Sequence, residues 1–233
     1  MGYYNGVENK RNMGGKRMRC GVLFDMDGVI SDTERFYVEA MIERLRREGI
    51  AATPAELSSL FGSTMRHNCG ILKERYGLAK DADTYVDEIH EIKEQLLVAQ
   101  GLRPMPGAVE LIQKLHAAGV LMAVASSSPR EVIEHHMEAF GIMDCFDTIV
   151  SGVECREGKP APEIYLRAAE NLGLQPSECV VIEDSCNGVK AGKAAGMYCY
   201  AYVPPQAYRQ DVSAADDRLE SFCGLEPEDI LRG

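Results

Sequence analysis

The 233 residues are 45 % apolar and carry 25 Lys and Arg against 36 Asp and Glu, a net charge of −11. The length suits one large domain or a core with a smaller insertion. The composition excludes a disordered chain, and the acidic balance disfavours nucleic acid, whose phosphates need basic surface. No apolar run approaches the ~20 residues of a membrane span. None of the eight cysteines forms a Cys-x-x-Cys pair, which disfavours a zinc ribbon or redox motif and fits a reducing cytoplasm.

Lys10, Arg11, Lys16, Arg17 and Arg19 have no apolar stretch behind them, unlike a secretory signal; residues 1–17 are expected to be a flexible polar tail. Val22–Phe24 is a short, apolar, β-prone strand that runs into Asp25-Met26-Asp27-Gly28. Thr33–Arg47 places Phe36, Val38, Ala40, Met41, Ile42 and Leu45 among charges, a helix closed by Gly49. Thr53-Pro54-Ala55-Glu56 reads as a capping box with proline at the first helical position, opening a short helix that stops before Gly62. Residues 64–75 and 83–100 read as two more helices. The stretch 33–102 thus carries no strand signal, which predicts an all-helical insertion directly after the first strand.

From Pro106 the pattern alternates. Helices are predicted over 107–118, 129–140, 162–172 and 187–195, strands over 120–125, 148–150, 179–182 and 197–202. This spacing means βαβ units, hence a parallel sheet covered on both faces. Gly188, Gly192 and Gly196 recur every four residues and read as close packing of a helix on the sheet, not as a phosphate loop. Beyond Pro204-Pro205 a loop is expected, then a short helix near 227–231.

The polar groups gather at strand ends. A strand cannot bury Asp25 and Asp27 unless their charge is compensated, and the carboxyl ends of strands are where open α/β sheets bind ligands. Val180-Val181-Ile182 runs into Glu183-Asp184, a second acidic strand end. Two unit charges about 4 Å apart repel by roughly 4 kcal/mol at an effective dielectric near 20, so a cation is expected between the two ends, and carboxylates with water suit Mg²⁺. Ser126-Ser127-Ser128 follows a strand and Pro129 opens a helix, which makes a ready anion site. Lys159 sits in Gly158-Lys159-Pro160-Ala161-Pro162-Glu163, before a proline and a helix start. The five histidines lack metal spacing, and His135 and His136 are adjacent on a helix and do not share a face; all are read as structural or solvated.

Asp25-Met26-Asp27-Gly28-Val29, with Ser31-Asp32-Thr33-Glu34, resembles the first motif of the haloacid dehalogenase superfamily of phosphotransferases. It is most similar to the subgroup of β-phosphoglucomutase and small sugar-phosphate phosphatases. Ser126 stands at that family's second motif, Lys159 in its Lys-Pro-x-Pro-(Asp/Glu) third motif, and Glu183-Asp184 at its fourth, in order over residues 20–200. The resemblance implies an α/β, Rossmann-like parallel-sheet core (18–32 and 103–233) with an inserted helical cap (33–102). It implies Asp25 as nucleophile, Asp27 as general acid/base, and Ser126 and Ser127 around the phosphoryl oxygens, with Lys159 neutralising charge. Mg²⁺ would be held by Asp25, by the Asp27 carbonyl and by Asp184, with Glu183 a weaker ligand or an outer hydrogen-bond acceptor.

The expected partner is a small phosphorylated metabolite met by a cytoplasmic monomer, with Thr64 and Arg66 the leading cap residues for substrate, followed by His67, Glu34 and Arg35. Mutases of the subgroup carry Gly-x-Ser-Arg in the cap loop. Here Gly62-Ser63-Thr64-Met65-Arg66 puts Met65 in the arginine's place, and Tyr37 stands where the family has a cap histidine. Both departures favour a phosphatase over a mutase. The acid at position 27 argues against carbon–halogen cleavage, and the complete motifs against a catalytically silent binding protein.

Overall fold

The computed structural model describes residues 21–57, 60, 65–205 and 210–232; the expected tail and the cap-loop positions up to Thr64 lie outside them. Strands β1 (Gly21–Phe24), β2 (Leu121–Ser126), β3 (Thr148–Ser151), β4 (Cys179–Glu183), β5 (Tyr198–Tyr202) and β6 (Asp217–Leu219) form one sheet in the order β3-β2-β1-β4-β5-β6. Every pairing is parallel. That order is the doubly wound one, and its ligand crevice lies where the order reverses, outside the carboxyl ends of β1 and β4. Those two strands carry Asp25 and Asp27, and Glu183 and Asp184.

Alternate residues of each strand feed two separate cores. Val22, Phe24, Met122, Val124, Val180 and Ile182 pack under helices α5 (Ala108–Ala117), α6 (Arg130–Ala139) and α9 (Pro227–Leu231). Leu23, Ala123, Ala125, Cys179 and Val181 pack under α7 (Glu163–Asn171) and α8 (Cys186–Ala194). This is why the strands read as unbroken apolar runs: both faces are buried. Of the three spaced glycines, Gly192 brings α8 against Cys199 and Val181 of the sheet, as expected.

The stretch after Pro205 holds β6, where only loop was expected. Asp-Arg-Leu has no apolar alternation and is largely exposed at the sheet edge. It is held by its backbone pairing to β5 and by the Asp216 carboxylate, which accepts from the Cys199 amide at 2.8 Å.

Between β1 and β2 the chain forms α1 (Glu34–Arg47), α2 (Pro54–Leu57), α3 (Met65–Tyr76) and α4 (Ala82–Gln100). The Thr53–Glu56 capping box is formed, with the Thr53 amide donating to Glu56 at 2.8 Å. The helices share a core of their own, built from Val38, Met41, Leu45, Leu72, Tyr85 and Ile89 among others. The chain enters and leaves this unit through two strands of linker paired with each other: Met105 N donates to Ile30 O at 2.8 Å and Asp32 N to Arg103 O at 2.9 Å.

Candidate active site

Strand register brings the acidic ends together. Phe24 is level with Ile182 of β4, and the Asp25 amide donates to Ile182 O at 3.0 Å, so Asp25 and Glu183 leave the sheet side by side. Lys159 reaches between them from the loop before α7. Its ammonium donates to Asp25 Oδ1 (2.5 Å), Glu183 Oε1 (2.6 Å) and Ala125 O (3.1 Å), which uses all three of its protons. Burial alone would lower the lysine's pKa; the two carboxylates more than offset it and hold the group well above its ordinary range.

Glu183 has no oxygen left over. Oε1 accepts from Lys159 and from the Tyr165 hydroxyl at 3.0 Å, and Oε2 accepts from the Ser185 amide and hydroxyl, both at 2.9 Å. Gly188, on the first turn of α8, lies so close that a Cβ there would overlap this carboxylate. With its four lone-pair directions engaged, Glu183 fits the outer acceptor role and not the direct metal-ligand role considered for it: it holds Lys159 in place.

Asp27 is held differently. Thr33 Oγ1 donates to its Oδ1 at 2.6 Å; Ser128 Oγ donates to its Oδ2 at 2.9 Å, and Ser126 Oγ to the same oxygen at 3.5 Å. Thr33 occupies the N-cap of α1 without capping it, because its hydroxyl is turned to Asp27. Ser126 is buried and also accepts from the Ser128 amide at 3.1 Å; Ser127, expected beside it, is exposed. Gly28 turns the chain with φ +82°, and a Cβ there would collide with the Asp184 carboxylate. Glycine is therefore required twice over, for the left-handed backbone and for the approach of Asp184.

The donor set fits Mg²⁺. The Asp25 and Asp184 carboxylates and the Asp27 carbonyl are hard oxygen donors. Among the described residues no three acidic, His or Cys side chains converge on one point, so the protein would offer two carboxylates and a carbonyl and leave the other positions to water and phosphate, as this ion prefers. Burial pushes the Asp25 carboxyl up to about 8, against the pull of Lys159, with Glu183 and Asp27 adding to the rise. A further positive charge beside such a carboxyl would favour its ionised form.

From the helical unit, α4 adds a residue that sequence reasoning missed. Lys93 is buried, lies 4.6 Å over the Tyr37 ring and donates to the Tyr37 hydroxyl at 3.5 Å. Burial would lower its pKa, but Tyr37, Asp27 and Glu94 outweigh burial and keep it charged. Arg66, by contrast, is 74 % exposed and paired with Asp83 at 2.9 Å on the outside of the unit. It is not brought to the motifs as the substrate-binding expectation required. Its position on α3, one residue past Met65, turns it by about 100°, and Met65 itself packs on the helical core.

A family model described as haloacid dehalogenase-like hydrolase matches residues 22–202. The bifunctional riboflavin kinase/FMN phosphatase of Arabidopsis thaliana is 32 % identical over 91 % of this chain, which spans only 56 % of that longer protein. The phosphorylated carbohydrates phosphatase of Thermotoga maritima is 32 % identical over 76 % of this chain and 81 % of its own. Among solved structures, CbbY from Rhodobacter sphaeroides in complex with phosphate superposes with a TM-score of 0.74 at 30 % identity, over 93 % of this chain and all of that one. With a doubly wound sheet, a helical insertion after β1, four motifs meeting at one crevice and a family model spanning three-quarters of its length, the chain belongs to the haloacid dehalogenase-like hydrolases.

Proposed function

We propose that this enzyme hydrolyses the phosphate monoester of a small sugar or polyol through an aspartyl-phosphate. The observation that carries the reading is the different treatment of two neighbouring carboxylates: Asp25 faces the Lys159 ammonium, while Asp27 is held by three hydroxyls. Groups so placed divide the work of nucleophile and proton carrier.

Asp25 attacks phosphorus in line, forming an acyl phosphate bond as the ester oxygen departs. Asp27 gives that oxygen a proton and later takes one from the water that attacks the aspartyl-phosphate. Lys159, fixed by Glu183, offsets charge on Asp25 and the phosphoryl oxygens, and Ser126 with neighbouring amides at the start of α6 faces those oxygens. Mg²⁺, held by Asp25, Asp184 and the Asp27 carbonyl, would supply the charge neutralisation that lets two anions approach. The helical unit over 33–102 is the lid, closing from the paired linkers to exclude water.

Similarity to a phosphorylated carbohydrates phosphatase supports this substrate class. Water is favoured over a second sugar phosphate as acceptor because Met65, packed on the helical core, stands in the place of the mutase arginine and Arg66 is paired outward with Asp83. The test is a panel of phosphorylated sugars and polyols with and without Mg²⁺, for the wild type and Asp25→Asn. Phosphate release from the wild type in Mg²⁺ alone is expected, with the variant below about 1 % of it, since loss of one stabilising group already costs ~10²–10³ in kcat. Fast conversion of β-glucose 1-phosphate to glucose 6-phosphate with little free phosphate would favour a mutase instead.

A further inference from the structure

His136 is a buried imidazole on the sheet-facing side of α6, and the mechanism above does not use it. Its Nδ1 shares a 3.0 Å hydrogen bond with the hydroxyl of Ser31, 105 residues away, and both side chains are buried. Ser31 is the joint of the loop that carries Asp27. Its carbonyl accepts from the Gly28 amide (2.8 Å) and the Thr33 amide (2.9 Å), and its own amide donates to Met26 O (2.9 Å). It is therefore tied to the residues on either side of Asp27 and to Thr33, whose hydroxyl donates to the Asp27 carboxylate. Its chain neighbours Ile30 and Asp32 are tied to the second linker. Thr33 Oγ1 also donates to the Ser31 carbonyl at 3.4 Å, and the Ser31 hydroxyl is anchored to α6 in the core.

The geometry points to His136 as a positioning residue for the acid/base Asp27, acting through Ser31. This rests on the reading of Asp27 given above. When the lid moves, the Ser31–His136 bond keeps the Asp27 loop and Thr33 with the core, so the proton carrier stays aligned with the leaving oxygen while the chain flexes beyond it. The charges that bear on the ring are those of Asp27, of Lys93 and Glu94 on α4, and of His135 on its own helix. Burial, ahead of the opposing charge of Asp27, holds its pKa below the ordinary value, so it is a neutral hydrogen-bonding partner and not a second proton donor.

The test exploits the leaving group. Departure of 4-nitrophenolate needs little protonation, whereas phenolate, as basic as a tyrosine side chain, needs the acid. In Mg²⁺, kcat/KM reports the first chemical step for both aryl phosphates. Ser31→Ala and His136→Leu should lower kcat/KM for phenyl phosphate about tenfold, the scale of one lost hydrogen bond, and that for 4-nitrophenyl phosphate less than twofold. His136→Asn, whose amide overlies Nδ1, should restore most of the phenyl phosphate rate. Equal losses on both substrates, or no loss on either, would overturn the proposal. If His136→Leu fails to fold, Ser31→Ala decides alone. Asp27→Asn is the reference: if it spreads the two substrates and Ser31→Ala does not, the positioning role is wrong and the acid role stands. If Asp27→Asn itself spreads nothing, the acid role falls and the proposal with it.

Discussion

Replacing Glu183 by Gln changes one atom, yet the structure gives it a large effect. The four partners of this carboxylate are all donors. The Tyr165 and Ser185 hydroxyls can rotate to accept; the Lys159 ammonium and the Ser185 amide cannot. An amide group put in either orientation must therefore point its NH₂ at one fixed donor. The lost charge-assisted bond costs about 1.5–3 kcal/mol and the stranded buried donor about 1–3 kcal/mol more, so a total of about 2.5–6 kcal/mol is expected. At ~2–4 °C per kcal/mol for a chain of this size, the melting temperature should fall by roughly 5–24 °C. Calorimetric melts would measure it, and titration with Mg²⁺ would follow the second consequence. Since Glu183 faces Lys159 and not the cation, Glu183→Gln should weaken Mg²⁺ binding far less than Asp184→Ala. A variant melting within about 2 °C of the wild type would refute the account of the network. Loss of Mg²⁺ as complete as in Asp184→Ala would return Glu183 to the ligand shell.

Gly28→Ala should abolish turnover and lower the melting temperature, because the new methyl meets the Asp184 carboxylate in a left-handed backbone position; a variant with normal activity and stability would show that the loop can open there. The buried His136 ring has its pKa held below that of the unfolded chain, so the unfolded state binds the proton more readily below pH ~6.5. The stability from a neutral His136 is thus fully present above that pH and is lost as pH falls towards the folded-state pKa, by at most ~1.4 kcal/mol per pH unit. The melting temperature of the wild type should accordingly fall more steeply between pH 7 and 5 than that of His136→Leu, and parallel curves would contradict this.

The sheet and the four motifs were legible because each rests on a local rule that tertiary packing had no reason to override. Unbroken runs such as Val180-Val181-Ile182 need burial on both faces, and the acids that follow them can only be at a strand end. β6 was not legible, since Asp217–Leu219 carries no apolar pattern and takes its conformation from the neighbouring strand. Thr33 was hidden by its own propensity: a threonine before a helix reads as an N-cap, and only the fold shows that its hydroxyl goes to Asp27 instead. Arg66 follows the helical period: one residue past Met65, it lies on another face of α3, paired with Asp83.

Lys93 and His136 share a signal that is present in the chain and easy to pass over. On α4, Ile89, Lys93 and Leu97 follow one another at four-residue steps. On α6, Ile133, His136, Met137 and Phe140 fall on a single stripe. A polar or charged residue on the apolar stripe of an amphipathic helix must be buried, and a buried polar group needs a partner. On a helix packed beside a catalytic crevice, that partner belongs to the site or to the loop that carries it. Lys93 finds Tyr37, within reach of the field of Asp27, and His136 finds Ser31 at the root of the Asp27 loop. One group sits on α4 of the helical insertion and the other on α6 of the core, and the charge of Asp27 bears on both. The burial that makes each group costly on its own is what lets it act on Asp27 at close range, since charges and hydrogen bonds shielded from water are weakened least.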